Sequence, residues 1–286
     1  YNQDWVVVDV KLKGKNQLDN KALQICDPER LCTYIPSHLP FRRWEFMINE
    51  SDNKNDFLDD EKIQNLIKRW LQPDQYQIVR KAVYQFHSVI AEKLNKGRSF
   101  LLGDAAHQAP PFMGEGMMSG YRDAMNVCWK IALTIQNNLD HKLLNTYQKE
   151  RKPHAKFVVE NSAGIGELME AYAKTDDPSE VPDGLVAKGY GSFVLPGLDE
   201  GLFYGGKADE SMNSGHLFPQ PLIYKNNEVF KREDEILGNS FALISKDKIS
   251  IDKQDKKFLQ DIGCTFVILD EHYISQNRSI KKVLEL

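Results

Sequence analysis

The chain has 286 residues, 41% of them hydrophobic, with a formal net charge of -4 and a pI near 6.0. That length supports a sizeable core divided over more than one domain, while the acidic balance and the lack of a dense Lys/Arg block argue against nucleic acid as a partner. No apolar run is long enough to span a bilayer, and Cys26, Cys32, Cys128 and Cys264 form neither a C-x-x-C pair nor a zinc-ligand spacing. A soluble cytoplasmic protein with reduced thiols, no metal and no membrane partner is the expectation.

In chain order, the first element is already a strand: along Trp5–Lys13, Val6, Val8, Val10 and Leu12 alternate with the period of a half-buried strand. This reads as a chain entered part-way through a fold. "LCTYIP" and "RRWEFMI" continue the strand pattern. From Asp59 to Leu71, Ile63, Leu66, Ile67, Trp70 and Leu71 recur at helical spacing behind acidic residues suited to a helix N-terminus, which predicts an amphipathic helix on a sheet. "YQIVRKAVYQFHSVI" returns to strand residues, and "SFLL" reads as a short buried strand. Tyr121–Leu133 and Leu139–Ala173 read as helices, the second broken near Pro153. Asp, Pro and Gly between Thr175 and Gly206 mark a linker. Beyond it, "SFALISKD", "DKKFLQDIG" and "CTFVILD" make the β-α-β pattern of a small α/β module.

Between strand and helix lies "GDAAHQAPPFMGEGMMSGYRDAMNVCWKIAL". Gly103-Asp104 falls where an apolar segment gives out into a turn, a position at which open α/β sheets bind ligands, and the Asp104 carboxylate suits sugar or polyol hydroxyls. Gly114, Gly116 and Gly120 are spaced G-x-G-x-x-x-G, one residue longer than the dinucleotide fingerprint, and follow a Pro-Pro pair rather than a strand. They open a helix, whose first N–H groups lack intrahelical partners and whose dipole favours an anion. Glycines admit a flat ring close to the backbone, while Pro110 and Pro111 stiffen the loop. A capping Asp and an ordinary glycine loop are the plainer readings of either feature alone. His107 with Asp104 lacks a third metal ligand, so a hydrogen-bonded structural histidine is expected.

The stretch resembles the second flavin motif of the class A flavoprotein aromatic hydroxylases: GDAAH, prolines, G-x-G, then D-A-x-N-x-x-W-K. Within that family it is most similar to the 3-(3-hydroxyphenyl)propionate hydroxylase branch, a likeness extended by "RRWEFM", "YQFHSVIAEKLNKGRSFLLGDAAH", "YQKERKPHA" and "GHLFPQPLI" over essentially the whole chain. The resemblance implies a monooxygenase that uses FAD, NAD(P)H and dioxygen to hydroxylate a phenolic acid. It implies that Asp104 holds the ribityl chain, with Gly103 beside it among the cofactor-binding residues, and that Pro110 and Pro111 line the isoalloxazine. Backbone N–H groups of the segment with Gly114, Gly116, Met117 and Met118 would face the flavin N1–C2=O edge, where reduced flavin carries negative charge. Many relatives have Asn at Met118 and Gln at Glu115; the extra charge of Glu115 sits awkwardly beside an anionic ring.

The implied fold is α/β (α+β): a partial substrate-binding domain with a mixed sheet in residues 1–95, the C-terminal part of an FAD/NAD(P)-binding domain in 96–175, and a thioredoxin-like domain in 185–286. That last domain has no C-x-x-C, so packing or oligomerisation, not dithiol chemistry, is its expected role. No G-x-G-x-x-G for the ADP half of FAD occurs in the sequence, so the expected partner, besides a small aromatic substrate, is a further copy or a missing N-terminal segment. No catalytic base can be named; His87, Tyr84 and Arg43 are candidate pocket residues with plainer strand roles. The competing readings are a truncated or split-gene fragment without activity of its own, and a related flavin enzyme of oxidation or halogenation.

Overall fold

The computed structural model describes residues 2–14, 17–190, 194–202, 215–218, 223–225, 228–230, 238, 240–245 and 247–268. Its longest strand, β1 (Asn2–Leu12), lies in a five-stranded sheet with β2 (Leu23–Ile25), β3 (Cys32–Ile35), β4 (Phe41–Met47) and β5 (Tyr76–His87), in the order β2-β3-β4-β1-β5. Every pairing in it is antiparallel, so the sheet is not mixed as the resemblance implies. Alternation in a sequence reveals which face a residue takes and carries no information about strand direction.

Val6, Val8, Val10 and Leu12 do share one face, buried with Tyr34, Trp44 and Phe46. Onto that face packs α1 (Asp60–Ile67), through Ile63 and Ile67. Asp59 caps the helix: its side chain accepts from the Glu61 N–H, satisfying one of the donors that a helix start leaves unpaired. Strand β5 keeps its own apolar residues on this face by a bulge opposite Asp9 and Val10. Arg80 pairs with Asp9 and Ile78 with Val10, which leaves Val79 unpaired and 54% exposed.

The chain continues through β6 (Val89–Ile90), β7 (Asn95–Lys96), β8 (Ser99–Phe100) and β9 (His107–Gln108), then α2 (Gly116–Gln136) and α3 (Thr146–Tyr172). The "SFLL" segment is not the buried strand that its composition suggests. Only Ser99 and Phe100 pair, with Asn95 and Lys96, and Leu101 is exposed; a four-residue apolar run is too short to establish burial by itself. Nor does Pro153 break a helix, since α3 runs straight through it. Pro153 and Lys149 are both exposed, so the carbonyl four residues back that loses its donor stands on the watered side.

Residues 1–126 with 151–195, and 127–150 with 196–286, form two compact units. The second holds, after α4 (Asp183–Tyr190) of the first, a hairpin of β10 (Ile223–Lys225) and β11 (Glu228–Phe230) and a parallel pair, β12 (Ala242–Ser245) with β13 (Thr265–Ile268), joined by α5 (Lys253–Asp261). This is the β-α-β unit read from the sequence, with Asp252 capping its helix through the Gln254 and Asp255 N–H groups. Much of the thioredoxin-like domain expected over residues 185–286 lies outside the described residues.

The opposite face of the five-stranded sheet is graded. At one end Trp5, Leu31, Met47 and Phe86 meet Ile165 and Met169 of α3. The next layer is Thr33, Glu45, Val7 and Ala82, aligned across the strands by register. Beyond it Arg43, Asp9 and Arg80 form an ion-paired row, Arg43 gripping Asp9 by two bonds of 2.7 and 3.0 Å. Glu45 is only 3% exposed, and burial raises its carboxyl from 4.5 to about 7, against the pull of Arg43 and with a smaller push from Asp9. An acid whose folded pKa is raised holds its proton in the folded state after the unfolded chain has lost it. Stability is therefore full below about pH 4.5, falls as pH rises to about 7, and is flat above, a loss of about 3 kcal/mol. Urea titrations from pH 4 to 8 are expected to show that fall in the native protein and not in Glu45→Gln. Identical pH profiles in both would show that Glu45 is not the group responsible.

Candidate functional site

The glycine-rich motif is organised by Asp123, a fully buried carboxylate on α2. One of its oxygens accepts from the Gly103 N–H at 3.0 Å and lies 2.8 Å from His107 Nε2; the other accepts from Arg151 Nε at 2.8 Å. Burial by itself would raise this acid, but the bonds from His107, Arg151 and Gly103 outweigh it and hold the carboxyl below its usual range. His107 is thus the structural histidine that the sequence suggests, 4% exposed and bonded to a carboxylate, not a partner of Asp104.

Gly103 takes φ +55, a left-handed conformation, and is pressed against α2: a Cβ placed on Gly120 would lie 3.3 Å from the Gly103 Cα. Two glycines therefore let the turn carrying Asp104 sit directly on the first turns of the helix. Asp104 itself is exposed within a short 3-10 turn, Gly103–Ala105. Pro110 is buried, Pro111 exposed, and Pro111–Met113 makes a second 3-10 turn closed by the Gly114 N–H on the Pro111 carbonyl at 2.9 Å. Gly114 leaves that turn at φ +66, and α2 follows.

The first α-helical bond at this end runs from the Ser119 N–H to the Glu115 carbonyl, 2.8 Å. The N–H groups of Gly116, Met117 and Met118 precede it, and a Cβ built on Gly116 would meet nothing within 4 Å. The loop backbone is thus open on that side. Glu115 is paired with Arg122 at 2.8 Å, which answers the difficulty of an acid beside an anionic ring. Among the described residues, Ser119 Oγ and Arg122 Nη1 are buried without a hydrogen-bond partner. Left-handed glycines, helix-start amides that meet no acceptor among the described residues, and orphaned donors fit a flat, partly anionic ligand such as flavin.

The loop is also fastened to the sheet. Phe112 sits edge-on to Trp5, ring centroids 5.3 Å apart, and 6.2 Å from Phe86. Of the three pocket candidates, Arg43 is engaged by Asp9 and Tyr84 bonds to Arg80, while His87 Nδ1 lies 2.7 Å from Asn2 Oδ1 at the strand end. The sequence reading passed over Asp123, Arg151, Phe112 and Glu45. Asp123 was within reach, standing in D-A-x-N-x-x-W-K at helical spacing behind the glycines.

The end of the same motif serves the second unit. Lys130, wholly buried, donates to Glu150 at 2.6 Å, and the other Glu150 oxygen accepts from the Leu202 N–H at 2.9 Å. Burial lowers the lysine against the support of Glu150. Gly201, at φ +109, has no room for a side chain: a Cβ would fall 2.4 Å from Glu150 Cγ.

The chain is similar to known proteins. The profile of the family described as FAD binding domain matches residues 4–162. A 3-(3-hydroxy-phenyl)propionate/3-hydroxycinnamic acid hydroxylase of Burkholderia vietnamiensis is 32% identical over 282 residues, 92% of this chain and 50% of that protein. A probable NADH-specific resorcinol 4-hydroxylase of Rhodococcus jostii is 29% identical over 247 residues, 85% of this chain and 45% of its own length. The chain spans about half the length of the curated relatives it matches. Among solved structures, aklavinone-11 hydroxylase in a complex with FAD and aklavinone aligns with a TM-score of 0.73 at 19% identity, covering 94% of this chain and 52% of that one. At that identity the likeness shows the fold.

Asp123→Ala would leave His107 and Arg151 buried without their carboxylate. It is expected to cost about 3–5 kcal/mol in chemical denaturation, where the exposed Asp104→Ala costs less than about 0.5 kcal/mol. Equal losses from the two would remove Asp123 from its central place.

Proposed function

The chain belongs to the FAD binding domain family, and from that membership we propose that it supplies the flavin side of an FAD site and the sheet face beneath a phenolic substrate. The reading is that of an FAD-dependent aromatic hydroxylase acting on a phenolic acid with NAD(P)H. The observation that carries it is the pairing of three helix-start amides, without an acceptor among the described residues, with an adjoining Gly103-Asp104 turn that Asp123 pins in place. The relatives' names supply the substrate class, 3-hydroxyphenylpropionate or 3-hydroxycinnamate, and the resorcinol hydroxylase supplies NADH as reductant.

In this reading Asp104 accepts hydrogen bonds from the ribityl hydroxyls, and Pro110 and Pro111 border the ring. The Gly116, Met117 and Met118 amides oppose negative charge at its N1–C2=O edge, prearranged so that nothing need reorient when charge arrives. Bound flavin supplies the redox chemistry with dioxygen. The chain's own part is to hold and orient it, and to exclude water with the Phe112, Trp5 and Phe86 cluster that closes the loop against the sheet. Arg43 and Arg80, on the open part of the same face, offer positive charge to an acidic substrate tail.

The test is a calorimetric titration with FAD and a visible spectrum. The 286-residue chain has no G-x-G-x-x-G, so by itself it is expected to bind FAD weakly, with a dissociation constant of roughly 10 µM or above, for want of a seat for the pyrophosphate. Mixed with a polypeptide carrying the amino-terminal half of the Burkholderia relative, it is expected to give a yellow complex, and Asp104→Ala to weaken that flavin binding about tenfold. A colourless mixture, or an Asp104→Ala variant that binds as the native chain does, would overturn the assignment.

A further inference from the structure

Glu45 is a buried acid without a hydrogen bond. Among the described residues no donor reaches its carboxylate, and the nearest cation, Arg43 Nη1 at 3.9 Å, belongs to a guanidinium already held by Asp9. Such a group is costly to keep when charged, and Gln would fit the same space. Its position gives it a use. Val7 stands opposite Glu45, and Trp5 precedes Val7 by two residues on the same face, about 7 Å along the strand. Trp5 is where Phe112 of the glycine-rich loop rests. From the loop outward, the face therefore presents Trp5 and Phe86, then Glu45 among Val7, Ala82 and Thr33, then Arg43, Asp9 and Arg80.

We propose that Glu45 receives the phenolic hydroxyl of the aromatic substrate, whose carboxylate tail runs outward along the sheet to Arg80 and Arg43. This rests on the phenolic-acid reading above and adds to it the orientation of the substrate and the residue that touches its reacting ring. The order along the face sets that orientation, with the ring nearest the loop and the acid farthest from it. The phenolic O–H bond breaks, its proton passes to a Glu45 oxygen, and the electron pair stays on the phenolate oxygen, enriching the ring carbons ortho and para to it. A carboxyl that titrates near neutrality is matched to this task. The charges acting on Glu45 are Arg43 on its own strand and Asp9 on β1, which Arg80 of β5 reaches in turn; β3 brings Thr33 to this face, while the Cys32 thiol, raised to about 12 by burial, lies on the opposite one.

Equilibrium dialysis of the full chain against 3-(3-hydroxyphenyl)propionate and its deoxy analogue 3-phenylpropionate, from pH 5 to 8, tests this. The native chain is expected to prefer the phenol on the order of tenfold at pH 8 and less at pH 5, as the Glu45 carboxylate takes up its proton. Glu45→Gln, which remains folded, is expected to show little preference at any pH, while Arg80→Gln weakens both ligands alike. If Glu45→Gln keeps the preference and its pH dependence while Arg80→Gln still weakens both, Glu45 is not the phenol's partner and the phenolic-acid reading stands. If the native chain binds neither compound, both are overturned.

Discussion

Asp123 is the point on which the rest of the proposed site depends. A carboxylate taken wholly out of water is tolerable only when its lone pairs are filled, and here the filling is done by three separate segments: the turn at Gly103, the short strand at His107 and helix α3 at Arg151. Gly103 and His107 belong to one short stretch and Arg151 lies 44 residues beyond His107, so one buried charge ties that stretch to α3. The loop with Pro110, Pro111 and the left-handed Gly114 is suspended between that anchor and the aromatic seat on Trp5. A flat ligand would meet a surface already shaped.

The two ion pairs along α2 differ in what they do. Asp123, two turns in, fixes the turn at Gly103, whereas Lys130 farther on serves the other unit by fixing Glu150, and through it the Gly201-Leu202 backbone. One motif, D-A-x-N-x-x-W-K, thus holds residues with separate structural duties. This accounts for acids and bases in the interior of an amphipathic helix without assigning any of them to chemistry.

Much of this was legible from the residues. Alternating valines identified the buried face of β1, and acidic residues ahead of an apolar repeat marked the start of α1. The bonded His107 followed from the absence of a third ligand. What failed did so for physical reasons. "SFLL" is apolar but makes only a two-residue ladder, because pairing partners are not written in a strand's own sequence. Pro153 stays inside α3 because its position is exposed, which periodicity around a proline does not reveal. Glu45 and Phe112 were hidden for a deeper reason, since their roles arise only when registers and loops bring together residues far apart along the chain.

The bulge in β5 bears on how such a chain can change over generations. Because Val79 is the extra residue, Tyr76 and Ile78 on one side of it and Val83 on the other face the same core. Removing Val79 alone would only straighten the strand, whereas deleting Lys81 or Ala82 would turn either Arg80 into the core or Val83 out of it. Insertions and deletions in this lineage should therefore collect at the bulge and in the turns flanking β5, leaving the spacing of Arg80, Ala82 and Tyr84 as a fixed ruler on which different substrates could be accommodated by changes of side chain alone.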